Sequence, residues 1–296
     1  MNILIAGCGY LGRALGSALA ARGDRVWGLC RSEASCQKIR ALSVPGFEPV
    51  QADLTRLNGP GGSAGGPGDL VEGQGNFARR FPRLDAAVAC QAPARGESYR
   101  NAYVEGTRGL IRALGPDFLC RFIFVSSSSV YGPRGGGWVE ADTAIDPALL
   151  DEDARALREA EGLALAGPGL GMVLRLSGIY GPERNRLDAI RSGRFVPPTG
   201  GVWTNRVHRD DAVSALVCLL EKGARGQVYL ASDDLPATQA EFYGWLLREL
   251  NIKQARIFPE PARSAEDSKR CSNSKLKTLG WTPRYPSYKE GYGELL

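Results

Sequence analysis

The chain has 296 residues, 43% hydrophobic and 23% charged, with a net charge of +5, which is enough to bury a large core as one domain or as a main domain with a satellite. Lys and Arg are scattered among Asp and Glu without a basic block, which speaks against nucleic-acid binding and suits an anionic small molecule. No stretch reaches the roughly 18 apolar residues of a membrane span, and the start "MNILIAGCGY" has neither the basic region nor the apolar run of a signal peptide.

The elements come in an alternating order. "NILIA" (2–6) is predicted as a strand, "LGRALGSALAARG" (11–23) as a helix, "RVWGLC" (25–30) as a strand, "SEASCQKIRAL" (32–42) as a helix and "FEPVQAD" (47–53) as a strand. After an interruption the order resumes with "DAAVAC" (85–90), a helix over 97–114, the very apolar "RFIFVS" (121–126), a helix over about 147–166 and "GMVLRLS" (171–177). Continuous apolar strands separated by amphipathic helices predict an α/β chain: a doubly wound parallel sheet with helices on both faces. Past residue 180 the order becomes irregular. Helices at 210–222 and 239–250 and a strand at 226–232 predict a small C-terminal lobe. The expected division is therefore 1–180 for the sheet domain and 181–296 mainly for the lobe, with segments returning to the first domain.

The interruption, 58–76, reads "NGPGGSAGGPGDLVEGQGN". Gly, Pro and Ser cannot bury enough apolar surface to offset ordering, so a flexible surface insertion is expected. The seven cysteines are odd in number, widely spaced and contain no CxxC pair. This predicts unpaired thiols in a reducing cytoplasm. With His208 as the single histidine, no metal site is expected.

The chemistry starts at "IAGCGYLG" (5–12), which holds the GxGxxG spacing at Gly7, Gly9 and Gly12. The motif follows a strand and opens a helix, the context that makes it a dinucleotide-binding loop. Gly7 permits the turn, Gly9 lets the backbone approach a pyrophosphate, and Gly12 lets the helix pack on the sheet, while the helix start offers N–H groups to phosphate. Cys8, Tyr10 and Leu11 complete the loop. An acid at the end of the second strand would favour NAD. Arg31 and Ser32 stand there instead, and a guanidinium can pair with a 2′-phosphate, so NADP is expected, with NAD as the alternative. Asp53 and Leu54, after the third strand, are placed for an adenine contact.

Further landmarks follow in order: "DAAVACQAP" (85–93), "AYVEGTRGLIRAL" (102–114), "FVSSSSVYGP" (124–133), "LRLSGIYGPER" (174–184) and "VHRDDAV" (207–213). In this combination, and with "VYLASDDLPAT" (228–238) and "KRCSNSKLKTLGW" (269–281), the chain resembles the extended short-chain dehydrogenases/reductases. Within them it resembles the NAD-dependent epimerase/dehydratase group, in an atypical, YeeZ-like branch. The resemblance covers nearly the whole chain apart from the insertion. It implies a Rossmann-type sheet binding NAD(P), a cleft towards a small C-terminal substrate lobe, and cofactor contacts from Gln91, Ala92 and Pro93. It also implies a small-molecule substrate, with a homodimer allowed for.

Family members use a serine after the fifth strand and a Tyr-x-x-x-Lys pair on the next helix. Residues i and i+4 share a helix face, so the lysine lowers the phenol pKa and prepares it for proton exchange. The serine matches Ser127. The pair does not carry over: in "DEDARALREAEG" (151–162), Asp153 stands at the tyrosine position and Leu157 at the lysine position, and residues 133–179 contain neither Tyr nor Lys. Tyr103 replaces an asparagine often found before "xxGT".

Three functions stay open. The first is an NADP-dependent oxidoreductase whose proton donor is Tyr103, Tyr180, Asp153 or Glu152. The others are a sugar-nucleotide epimerase/dehydratase and a non-enzymatic NADP(H) sensor. Acids in a first helical turn are also favoured by the helix dipole alone. His208 is expected to be structural, Tyr131 a turn or wall residue, and Arg175 either a sheet-edge or a cleft residue.

Overall fold

The computed structural model describes residues 1–57, 77–167, 169–195, 201–252, 266 and 268–296. The Gly-rich insertion at 58–76 lies outside them. The strands are β1 (Asn2–Ala6), β2 (Arg25–Cys30), β3 (Phe47–Gln51), β4 (Ala86–Ala89), β5 (Arg121–Ser127), β6 (Trp138–Val139), β7 (Leu170–Leu176), β8 (Gly178–Tyr180), β9 (Trp203–Thr204), β10 (Arg206–His208), β11 (Val228–Ala231), β12 (Ala237–Thr238) and β13 (Arg270–Cys271). The α-helices are α1 (Tyr10–Ala21), α2 (Glu33–Arg40), α3 (Gly106–Leu114), α4 (Glu152–Ala166), α5 (Leu187–Arg191), α6 (Arg209–Lys222), α7 (Gln239–Glu249), α8 (Ser274–Lys277) and α9 (Tyr288–Gly293).

The main sheet has seven strands in the order β11-β7-β5-β4-β1-β2-β3. From β3 to β5 each neighbouring pair is parallel. The chain winds outward from β1 to β2 and β3, then returns to lay β4 on the other side of β1. This reversal is the switch point at which Rossmann-type sheets seat ligands. β1 and β4 are continuously buried because helices cover both faces: Ile3, Leu4, Ile5, Ala86, Ala87 and Val88 are all fully buried. In α1 the buried residues Leu11, Leu15 and Leu19 alternate with Gly12, Gly16 and Ala20 at helical spacing, which brings its backbone close to the sheet.

Two helix predictions are corrected. The segment 147–166 is not one helix: a 3-10 turn at Pro147–Leu149 is capped by Asp146, and α4 starts afresh after Asp151, whose carboxylate accepts from the Ala154 N–H at 2.7 Å. Each aspartate satisfies a separate helix start, so the chain breaks between them. The helix over 97–114 begins as a π-helical turn, Arg100–Glu105, before α3.

The chain forms two compact units whose segments alternate along the sequence. The first comprises Met1–Ser127, Asp151–Leu174 and Leu216–Val228; the second comprises Ser128–Leu150, Arg175–Ala215 and Tyr229–Leu296. In the second unit β8 pairs with β10 and β6 with β13 in parallel, while β9 and β12 are antiparallel. Tyr180, Leu187, Ile190, Phe242, Leu246, Tyr288 and Tyr292 form its aromatic-rich core. β6, β9, β12 and β13 have two residues each, too few to give a periodic signal in sequence. No helix among the described residues is long and apolar enough to cross a membrane.

Candidate functional site

The turn after β1 lies against the end of β4. Gly7 has φ +92°, and a Cβ there would stand 2.5 Å from the Gln91 backbone. Only glycine fits both the conformation and the space. A Cβ on Gly12 would strike the Gly7 carbonyl oxygen, so α1 packs against its own entry turn. Gly9 differs: it is exposed, and a Cβ there would meet nothing within 4 Å. The space over Gly9 is open.

Gly9 caps α1 without a side-chain hydrogen bond, and the first turn holds no acid. By contrast, the caps of α2 and α4, Ser32 and Asp151, accept from the Ser35 N–H at 3.3 Å and the Ala154 N–H at 2.7 Å. The positive end of α1 is thus left for an external anion. Two loop residues brace the turn: Leu11 is buried, and Cys8 donates to the Ile5 carbonyl at 3.7 Å. A hydrogen bond with Cys30, and then burial, push the Cys8 thiol well above its ordinary pKa. That makes it a packed thiol, not a nucleophile. Tyr10 is half-buried.

Gln91 is buried. Its Nε2 donates to Thr107 Oγ1 at 2.8 Å, while its Oε1 has no hydrogen-bond partner among the described residues. Ala92 is exposed and Pro93 half-buried. Asp53 caps a 3-10 turn, Leu54–Arg56, accepting from the Thr55 N–H at 3.0 Å and Oγ1 at 2.8 Å. Its carboxylate is thereby committed to the turn, and Leu54 is buried. Arg31 is half exposed at the end of β2. It pairs with Glu97 through both terminal nitrogens, Nη1 to Oε1 at 3.1 Å and Nη2 to Oε2 at 2.8 Å. Sequence reasoning missed Glu97, because 66 residues separate it from its partner and nothing local marks it.

A nicotinamide dinucleotide fits this site. The glycine cradle would be filled by side chains at Gly7 and Gly12, the space above Gly9 is open, the start of α1 carries no acid, and a buried amide oxygen on Gln91 waits for a donor.

The proton-handling candidates occupy different settings. Ser127 is half-buried at the end of β5. Its neighbour Ser126 is buried and donates to Glu161 Oε1 at 2.7 Å; Glu161, fully buried in α4, also accepts from Arg158 Nη1. α4 is thus stitched to β5. On that helix Leu157 is fully buried, while Glu152 and Asp153 are exposed in the first turn. The lysine position has therefore become a core position. Tyr103 is half-buried in the π-helical turn, its ring 6.1 Å from Phe124 and 5.2 Å from Tyr99.

Tyr180 belongs to the second unit and to its core. It stacks on Tyr292 at 4.7 Å, its hydroxyl lies where a Cβ on Gly291 would be, and that hydroxyl has no hydrogen-bond partner among the described residues. Burial, then Asp233, push the phenol pKa far up, opposite to what proton exchange near neutrality needs. The same unit shows His208 to be structural: its Nδ1 accepts the Asp210 N–H at 3.2 Å and its ring packs on Tyr180 and Tyr285. Arg175 is buried, donates to the Ala141 carbonyl at 3.1 Å and lies over the ring of Tyr131, itself buried.

No protein-family model matches the chain. It is 28% identical to a 3-diazoavenalumate denitrifying reductase from a Streptomyces species, over 99% of both chains. It is 29% identical to a 4-hydroxy-2-methyl-3-oxo-4-farnesyl-3,4-dihydroquinoline-1-oxide ketoreductase from Stigmatella aurantiaca, over 96% of this chain and 83% of that one. A solved structure from Methylobacillus flagellatus, assigned as an NAD-dependent epimerase/dehydratase, is 30% identical over 99% of this chain and 97% of its own, with a TM-score of 0.71. With its glycine cradle, its strand order and this full-length likeness, the chain belongs to the NAD-dependent epimerase/dehydratase family of extended short-chain dehydrogenases/reductases, enzymes of the nicotinamide-dependent oxidoreductase type.

Proposed function

We propose that this protein is an NADPH-dependent reductase of a small carbonyl or imine substrate, with a proton donor other than the family tyrosine. One observation carries the reading: the dinucleotide cradle is intact, while α4 presents Leu157 and Asp153 where the proton-relay pair would stand. The bound cofactor supplies a hydride. The chain's own residues do the rest. The start of α1 and the backbone at Gly9 hold the pyrophosphate; Arg31 engages the 2′-phosphate through the guanidinium hydrogens that Glu97 leaves. Ser127 donates a hydrogen bond that orients the substrate oxygen or nitrogen, and Tyr103 delivers the proton.

A reduction needs one proton per turnover, which a phenol in exchange with water can give. An epimerisation or dehydration needs a positioned acid and base in both directions, so losing the Tyr–Lys pair costs those reactions more. The two relatives named as reductases support the same choice.

The test is a pair of measurements on the purified chain. NADPH and NADH are titrated first; NADPH is expected to bind more tightly, and binding of neither would end the proposal. Aldehydes, ketones and imines are then screened for NADPH oxidation, with sugar nucleotides as the comparison. Turnover of sugar nucleotides alone would return the protein to the epimerase/dehydratase reading, and cofactor binding without any turnover would make it a sensor. Arg31→Ala is expected to weaken NADPH far more than NADH; equal weakening would remove the 2′-phosphate role.

A further inference from the structure

The end of β2 has no acid in sequence, but it has one in space. Glu97 arrives from the segment between β4 and the π-helical turn and meets the Arg31 guanidinium end-on, at 3.1 and 2.8 Å. The two side chains are unequal: that of Arg31 is 50% exposed and that of Glu97 only 9%. The carboxylate also accepts the Ala94 N–H at 2.8 Å and Asn101 Nδ2 at 2.7 Å. Burial alone would raise its pKa; Arg31, Ala94 and Asn101 outweigh burial and hold it below the ordinary carboxylate range. Glu97 is therefore a fixed, ionised acid beside the proposed ribose site, and Asp53 adds to the negative field at Arg31.

We propose that Glu97 is the acidic determinant of dinucleotide choice in this chain, placed across space at the strand end where the family places it along the strand. The proposal rests on the reading of Arg31 as the 2′-phosphate receptor. A guanidinium has five N–H donors and Glu97 takes two of them. The remaining edge can still meet a phosphate, but the charge it offers is already neutralised. A dianion approaching the exposed face meets a pair of net charge zero with a carboxylate close behind it, and the repulsion partly cancels the attraction of Arg31. A ribose 2′-hydroxyl carries no charge and feels little of this. Glu97 thus narrows the preference for NADPH over NADH that Arg31 alone would set.

The test uses the full chain and equilibrium binding, read from the fluorescence of the reduced nicotinamide. Glu97→Gln keeps the shape of the side chain and removes the charge. NADPH is expected to bind about tenfold or more tightly than to the native chain, from the loss of repulsion, while NADH changes by less than about threefold. Glu97→Ala is a second variant with the same expected direction. Because the repulsion acts directly between carboxylate and phosphate, Arg31→Ala/Glu97→Gln should bind NADPH more tightly than Arg31→Ala does. Unchanged or weaker NADPH binding in both single variants would overturn the proposal and leave Glu97 as a brace for its loop. Failure of the underlying reading looks different: Arg31→Ala would then weaken both cofactors equally, and Glu97→Gln would shift both together.

Discussion

Ser126 Oγ donates to Glu161 Oε1 at 2.7 Å, and both residues are buried. The bond joins the end of β5 to the middle of α4, the helix that carries Asp153 and Leu157 where the family's pair would stand. Arg158 supplies the countercharge to Glu161 from one turn earlier. The helix is thus docked on β5 through a buried carboxylate.

Removing one partner should show what that dock is worth. Ser126→Ala is expected to destabilise the chain by about 1.5–3 kcal/mol, the usual range for a hydrogen bond to a charged group. Glu161→Ala leaves the buried Ser126 hydroxyl without its acceptor, while the partly exposed Arg158 can turn to water, and should cost about 2–3 kcal/mol. Urea unfolding at neutral pH reads both; a Glu161→Ala loss smaller than that of Ser126→Ala would contradict this account.

Two glycines of the loop make separable predictions. Gly7→Ala forces an unfavourable φ worth about 1–2 kcal/mol and adds a clash with the Gln91 backbone, so the protein should lose stability before binding is even measured. Gly9→Ala meets no atom, so stability should stay within about 0.5 kcal/mol of the native value. Dinucleotide affinity should nevertheless fall about tenfold or more, because the methyl group occupies the pyrophosphate approach. Calorimetric melting and cofactor titration on the two variants give opposite patterns if this is correct.

Tyr103 and Tyr180 are told apart by removing one oxygen from each. Tyr180→Phe deletes a buried hydroxyl that has no partner among the described residues and should leave turnover unchanged while stabilising the fold by up to about 1 kcal/mol. Tyr103→Phe keeps the ring packed against Tyr99 and Phe124 and should lower kcat about a hundredfold with KM little altered. A fall in kcat for Tyr180→Phe would reverse the two assignments.

His208 gives a pH signature. Burial, opposed by Asp210, lowers its imidazole pKa, so the folded state binds fewer protons than the unfolded chain. The stability this contributes is complete above about pH 6.5, the unperturbed value, and is lost as pH falls through the folded-state pKa. Burial raises the carboxyl pKa of Asp211 and Asp233, and they give the opposite slope, stability that is lost as pH rises. Comparing the native chain with His208→Asn, whose amide oxygen can replace Nδ1 as acceptor, isolates the imidazole. The native chain should lose more unfolding free energy between about pH 7.5 and about pH 5.5 than the variant does; parallel curves would refute it.

Much of the fold was legible because its signals are local. Alternating apolar strands and helices announced a parallel sheet, and the spacing of Gly7, Gly9 and Gly12 between a strand and a helix announced the loop. The absence of Tyr and Lys from 133–179 was likewise plain, and it removed the usual proton relay from consideration. The single helix expected over 147–166 failed at a local signal that was misread: Asp146 and Asp151 are two caps, and each begins its own element.

What the sequence by itself determined was therefore the kind of sheet, the kind of cofactor and the missing pair. Tertiary structure alone decided which charges and hydroxyls meet. Arg31 looked like an open phosphate receptor until the fold set Glu97 against it. Tyr180 looked like a spare acid until the core closed over its hydroxyl. Backbone periodicity is fixed by near neighbours and can be read along the chain. The partner of a charge or a buried hydroxyl is fixed by which distant segments pack side by side, and that has no trace in local order.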